Sequence, residues 1–273
     1  MRWRWRGAWL LLGAALLGGT TACGPAADLT PAARTEYMTD AHERRFGHAV
    51  DAEITNFYPV VRGHPALVSV VEDVGRRLVK VSHRPELPYD FRVLNSADVN
   101  AFAGPGGYVY VTTGLLKTLD DVDELAAILA HEIAHVNGRH SVRALRSAQF
   151  AQAGIIFANI LATLGAAATG VGAVGDLTFA AGYLTTLIVF QGYSRSYENQ
   201  ADRLGIHYML QAGYQPEAMV RIFKRFIQIR DEEKEKRGLA ILQSHPQLED
   251  RIKEVEEMIR RERAGQKPEE PVS

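Results

Sequence analysis

Apolar positions recur at three- and four-residue steps through most of this chain, and at two-residue steps in one short region. Val122, Leu125, Leu129, Ile133 and Val136 form one stripe of a helix that starts after Asp121. Ala126, Ala127, Ala130 and Ala134 fill most of its remaining circumference, and a helix apolar nearly all round belongs in a domain centre. Asp121 and Glu124 have capping-box spacing at its start, where negative charge suits the helix dipole. Further helices are predicted over 36–58 and 65–83, separated by Pro59 and the Gly63-His64-Pro65 turn, and over 247–264. Strand patterns lie between them at Tyr89–Leu94, Val99–Ala103 and Tyr108–Thr113, with Gly104-Pro105-Gly106-Gly107 as a turn. The pattern predicts a mainly α fold with a small β-sheet (α+β).

Two stretches break this pattern. Arg2, Arg4 and Arg6 followed by apolar Gly7–Gly18 make a leader too short to span a bilayer. It ends Thr20-Thr21-Ala22-Cys23-Gly24, which resembles a bacterial lipoprotein cleavage box. Residues 1–22 then read as signal peptide, Cys23 as the lipidated first mature residue, and 23–35 as a tether. Gly24 after the cysteine resembles proteobacterial sorting to the outer membrane. Ser147–Gly175 and Leu177–Ser194 carry no charge, with Asp176 between them. They are rich in Gly and Ala, so residues 147–194 read as a packed helical hairpin beside the active site, a membrane hairpin being the alternative.

Composition narrows the chemistry. Without the leader's three arginines the chain carries 28 Lys and Arg against 32 Asp and Glu, which is no nucleic-acid footprint. Its one cysteine rules out an intramolecular disulfide and a cysteine-rich zinc site. The central helix carries His131-Glu132-Ile133-Ala134-His135. Two histidines four apart are offset by about 40° on a helix, so both can face one metal ion. Glu132 lies about 60° around from His135, suited to a water proton rather than to the metal itself. A buried pair of imidazoles without a partner is costly, and a metal removes that cost. His140 follows nine residues after His131, half a turn away on a continuing helix and a poor ligand. His42, His48, His64 and His83 lack ligand company and read as surface or packing residues.

Glu198 and Asp202 stand one helical turn apart. Glu198 suits a third metal ligand and Asp202 a partner for a ligand imidazole's second nitrogen, with a solvated acidic pair as the alternative. His131-Glu132-x-x-His135 followed by Glu198-x-x-x-Asp202 resembles the HtpX-like zinc metallopeptidases, the family of the CAAX prenyl endopeptidases. The resemblance extends to Asn100–Leu116, Ala212-Gly-Tyr-x-Pro216 and Ser244-His245-Pro246, and is greatest to the short periplasmic lipoprotein members.

It implies a zincin-like domain over 36–264 with the His-Glu-x-x-His helix at its centre, followed by a disordered tail, 265–273. One Zn2+ per chain would be held by His131, His135 and Glu198, with Asp202 behind them and Glu132 as general base. His245 and Arg251, with Tyr193 behind them, are candidate oxyanion stabilisers; neutral His245 could instead close the metal's open position. Pro246 suits the first turn of the last helix, with His245 just outside it. From its position alone, the strand ahead of the metal helix is placed to border the cleft and, with a free outer edge, to pair with an extended peptide, an ordinary sheet strand being the alternative. The implied function is endoproteolysis of misfolded or unassembled envelope proteins at the periplasmic face of the outer membrane. A non-catalytic zinc-containing assembly lipoprotein and an integral-membrane prenyl-type protease are the competing classes.

Overall fold

The computed structural model describes residues 38–146, 192–232 and 240–265. In order these give α1 (Asp40–Phe57), α2 (Pro65–Val79), β1 (Asp90–Leu94), β2 (Ala101–Ala103), a 3-10 turn (Pro105–Gly107), β3 (Tyr108–Thr112) and α3 (Thr113–Leu116). There follow α4 (Val122–Asn137), α5 (His140–Arg146), α6 (Arg195–Ala212), α7 (Glu217–Glu232), α8 (Ala240–Ser244) and α9 (Leu248–Arg263). The fold is mainly helical with one small sheet, as the periodicities predict.

The centre is α4, buried without a break from Glu124 to Asn137. It packs against α2, α6, α7 and the sheet. Its closest neighbour is α6, because Gly205 leaves room: a Cβ there would lie 3.2 Å from the backbone nitrogen of His131. The α4 stripe holds except at Val122, which is 50% exposed because the first turn protrudes from the core. The capping box is half formed. Asp121 accepts from the Glu124 amide at 2.8 Å, but the buried Glu124 carboxylate accepts from the Asp120 amide at 2.9 Å. Arg225 of α7 claims it from the other side at 2.8 and 3.1 Å.

The other end of α4 is fixed by α1. Gly138 caps the helix and Arg139 turns left-handed at φ 50°. The Arg139 guanidinium meets the buried Glu43 carboxylate at 3.1 Å, the Met38 carbonyl at 3.1 Å, and Asp40.

The strand order is β1-β3-β2, with β1 parallel and β2 antiparallel to β3. The strand ahead of α4 is therefore central and paired on both edges, not a free edge. The edge beside α4 belongs to β2. The last helix also differs from expectation at its start: α9 begins at Leu248 behind a left-handed Gln247 (φ 64°), which leaves Pro246 outside the first turn.

Among the described residues no helix is long and apolar enough to cross a membrane. The leader, Cys23, the tether, residues 147–191 of the expected hairpin, and the tail from 266 lie outside the described residues.

Candidate metal centre

The four-residue spacing of His131 and His135 brings their Nε2 atoms within 3.0 Å of each other. From α6, Glu198 reaches the same point, with carboxylate oxygens 3.5 Å from His131 Nε2 and 3.4 Å from His135 Nε2. From the loop between α8 and α9, His245 brings its Nδ1 to 3.2 Å from His131 Nε2 and 3.1 Å from Glu198. All four side chains are buried, and one donor atom from each lies within 4.8 Å of the others.

These separations test the fit to zinc. Tetrahedral bonds of about 2.0–2.1 Å put neighbouring donors about 3.3–3.4 Å apart. The five contacts above, at 3.0–3.5 Å, are close to that edge, with one Glu198 oxygen toward His131 and His245 and the other toward His135. The outward nitrogens are also engaged: His131 Nδ1 faces Asp202 at 3.0 Å, and His135 Nδ1 contacts His140 Nδ1 at 2.8 Å. With protons on those outward nitrogens, two bare Nε2 lone pairs confront each other at the centre. A cation there converts repulsion into coordination, so the residues fit the ion.

Glu132 is 1% exposed and brings Oε1 to 3.4 Å from His245 Nε2. Its buried Oε2 has no hydrogen-bond partner among the described residues. Burial pushes its carboxyl above the ordinary range. Beside it a cavity of about 20 Å³ opens between Ala127, Ile128, His131 and His245, enough for about one water.

Arg251 is turned toward the carboxylates. Its Nε and one terminal nitrogen grip Asp202 at 2.8 and 2.6 Å, and the other terminal nitrogen donates to Glu198 at 2.6 Å. Its guanidinium lies over the Phe223 ring, 4.6 Å from the centroid. Burial alone would raise the Glu198 carboxyl, but His245 and Arg251 hold it well below the ordinary range. Asp202 is likewise held low against the effect of burial, first by Arg251. Burial and the nearby histidines drive His135 well below the usual imidazole range, despite its contact with Glu198. Tyr193 stacks on the His135 ring at 4.2 Å.

His140 has a role the sequence did not reveal. It is outside the four-residue cluster, but the helix does not continue to it: the break at Gly138 and Arg139 folds its ring back onto His135. The Gly-Arg pair was the available signal. His42, His48, His64 and His83 stay outside the cluster, and His83 instead contacts the Tyr208 hydroxyl at 2.6 Å.

A model of peptidase family M48 matches residues 65–259. The chain belongs to that family. Membership places it among the zinc metallopeptidases, in agreement with the resemblance carried by its motifs. A beta-barrel assembly-enhancing protease of Yersinia pestis is 31% identical over 79% of this chain and 46% of its own length. The beta-barrel assembly-enhancing protease of Escherichia coli is 29% identical over 79% of this chain and 43% of its own. The mitochondrial metalloendopeptidase OMA1 of Schizosaccharomyces pombe is 31% identical over 72% of this chain and 54% of its own. The chain thus spans about half the length of these relatives.

The geometry predicts an order of zinc affinities, read by chelator competition. Asp202→Ala should weaken binding by about 10- to 100-fold, as loss of a ligand's hydrogen-bond partner does. Glu198→Ala should weaken it further, and an affinity equal to wild type would remove Glu198 from the ligand set.

Proposed function

We propose that this chain is a zinc-dependent endopeptidase of the bacterial cell envelope, anchored through lipidated Cys23 and acting on misfolded or unassembled envelope proteins. The observation that carries the catalytic reading is a buried carboxylate, Glu132, beside both a four-residue donor cluster and a water-sized cavity. The envelope and the substrate class draw on relatives named for beta-barrel assembly.

Zinc, when bound, supplies Lewis acidity toward a peptide carbonyl and water. Glu132 takes a proton from the attacking water as its oxygen bonds to the carbonyl carbon. It returns that proton to the amide nitrogen as the C–N bond breaks. His131, His135 and Glu198 hold the metal, and Asp202 orients His131. Arg251 orients Asp202 and Glu198 rather than the oxyanion, because its grip is on their oxygens. The substrate pairs with β2. Asn100 and Gly104 bond to β3, so the alternating groups of Ala101 and Ala103 face outward.

His245 acts as a latch in this reading. Its Nδ1 occupies the fourth corner, and a catalytic site needs that corner for water or substrate. Swung outward and protonated, the same ring is the candidate oxyanion donor. The second reading, an assembly lipoprotein with structural zinc, draws on the same four-residue cluster, since structural sites use four protein ligands.

One assay separates the readings. Glu132→Gln should keep about one zinc per chain while casein hydrolysis falls by roughly 10²-fold or more, the usual scale for losing a general base. Hydrolysis retained in that variant would sink the catalytic reading. His245→Ala should still hold one zinc per chain through the three remaining ligands and hydrolyse faster than wild type, whereas lost activity with zinc retained would assign His245 to the oxyanion instead. For the anchor, labelled fatty acid should enter the wild type and not Cys23→Ala; a free Cys23 thiol on a secreted product would contradict it.

A further inference from the structure

We infer that Gln200 and His140 form a proton relay that fixes the tautomer of His135 and presents its Nε2 lone pair to the metal. The inference rests on the metal reading above and adds two positioning residues to it. The chain of contacts runs from α6 through α5 to α4. Gln200 Oε1 lies 2.9 Å from His140 Nε2, and His140 Nδ1 lies 2.8 Å from His135 Nδ1.

The direction of every proton follows from one residue that can only donate. Arg143 donates to the same Gln200 Oε1 at 3.3 Å. A flipped amide would turn its NH2 against the guanidinium, so the oxygen must face this side. His140 Nε2 therefore carries a hydrogen and donates it. His140 is fully buried and shares the Gln200 oxygen with a guanidinium rather than meeting a carboxylate, so a second, unpaired cation there would be costly and the ring is neutral. A neutral ring with a proton on Nε2 has a bare Nδ1, able only to accept. His135 must then hold its proton on Nδ1, and its Nε2 is left bare toward His131 and Glu198. This is the arrangement a metal-binding imidazole needs.

The surrounding chain is shaped for this ring. A Cβ at Gly138 would lie 2.4 Å from His140 Nε2, so only glycine lets the imidazole fold back over the helix end. Left-handed Arg139 makes the turn, held by Glu43 and Asp40. Tyr197 stacks on the His140 ring at 4.5 Å and 10°, with the Arg143 guanidinium 4.7 Å from the Tyr197 centroid.

A crossed pair of substitutions tests the relay against plain packing. His140→Phe keeps a flat ring on Tyr197 but cannot accept a proton. His140→Gln loses the ring but offers an amide oxygen to His135. The relay predicts that zinc affinity, measured by chelator competition, falls about 10- to 100-fold in the Phe variant and recovers most of that in the Gln variant. A packing role predicts the reverse order, and that order, or equal affinities in both variants and wild type, overturns the inference. A second measurement needs no variant. Nitrogen-15 histidine spectra of the metal-free wild type should show His135 with its proton on Nδ1, and a proton on Nε2 overturns the relay. A wild type that binds no zinc would overturn the metal reading and this inference together; zinc-binding wild type with the reversed order overturns the relay alone.

Discussion

The site depends on a guanidinium buried between two carboxylates. Arg251, Asp202 and Glu198 are each 1% exposed, and taking any one of them out of water alone would cost several kcal/mol. Together they are tolerable, because three short hydrogen bonds compensate the charges. Removing one partner from such a group costs about 3–5 kcal/mol. The group is therefore less a source of stability than a condition on assembly: α9 must dock on α6 for either acid to be ionised in the interior. Once both are ionised, Glu198 presents an oxygen to the centre and Asp202 places its charge 3.0 Å from His131 Nδ1. The last helix of the domain thus serves chemistry performed on a helix more than a hundred residues earlier.

The same device recurs at both ends of α4. Glu124, fully buried at the first turn, is paired with Arg225 of α7, while Arg139 beyond the last turn is paired with buried Glu43 of α1. Apolar packing alone would let a helix rich in alanine slide or rotate slightly against its neighbours. Charge pairs at the ends fix its register, since any slip would leave a buried carboxylate without its cation. Donor atoms must sit within about 0.5 Å of their working geometry for a site to function. A helix pinned at both ends and touched closely by α6 at Gly205 meets that demand.

Much of the centre was legible because it is local. The His131–His135 spacing and the Glu198–Asp202 turn are helix geometry, readable from residue number alone. The alanine-filled circumference of α4 announced its burial. What was not legible depends on where a helix stops or on what a distant element brings. His140 reads as pointing away only if the helix continues, and the Gly138-Arg139 break reverses that. Val122 fits the apolar stripe but stands on a turn that protrudes. Glu124 has the spacing of a capping box, yet Arg225 competes for its carboxylate. No pattern in the strands reveals that β3 enters the sheet between β1 and β2, because pairing order is a long-range property. Arg251 was placed at the site by its position after Ser244-His245-Pro246, but as an oxyanion candidate; only the fold shows that it grips Asp202 and Glu198.

His245 is attached differently from the other three donors, and the difference bears on how the closed centre could open. His131 and His135 are part of a pinned helix, and Glu198 is gripped by Arg251. The α8 segment that leads to His245 is joined to the sheet by weaker means. The Ile241 amide donates to the Val99 carbonyl at 3.1 Å, and the Ser244 hydroxyl meets Asn100 Oδ1 at 3.2 Å. Each neutral hydrogen bond of this kind has a net worth of about 0.5–1.5 kcal/mol. On its other side the segment meets left-handed Gln247, a backbone state that costs a residue with a side chain about 1–2 kcal/mol. Strain at that junction offsets part of what holds the segment down. Both attachments to the sheet lie immediately before β2, the edge an extended peptide would occupy. The donor proposed to leave the centre is thus the one carried on a loop, and its segment is joined to the chain immediately before the edge strand β2.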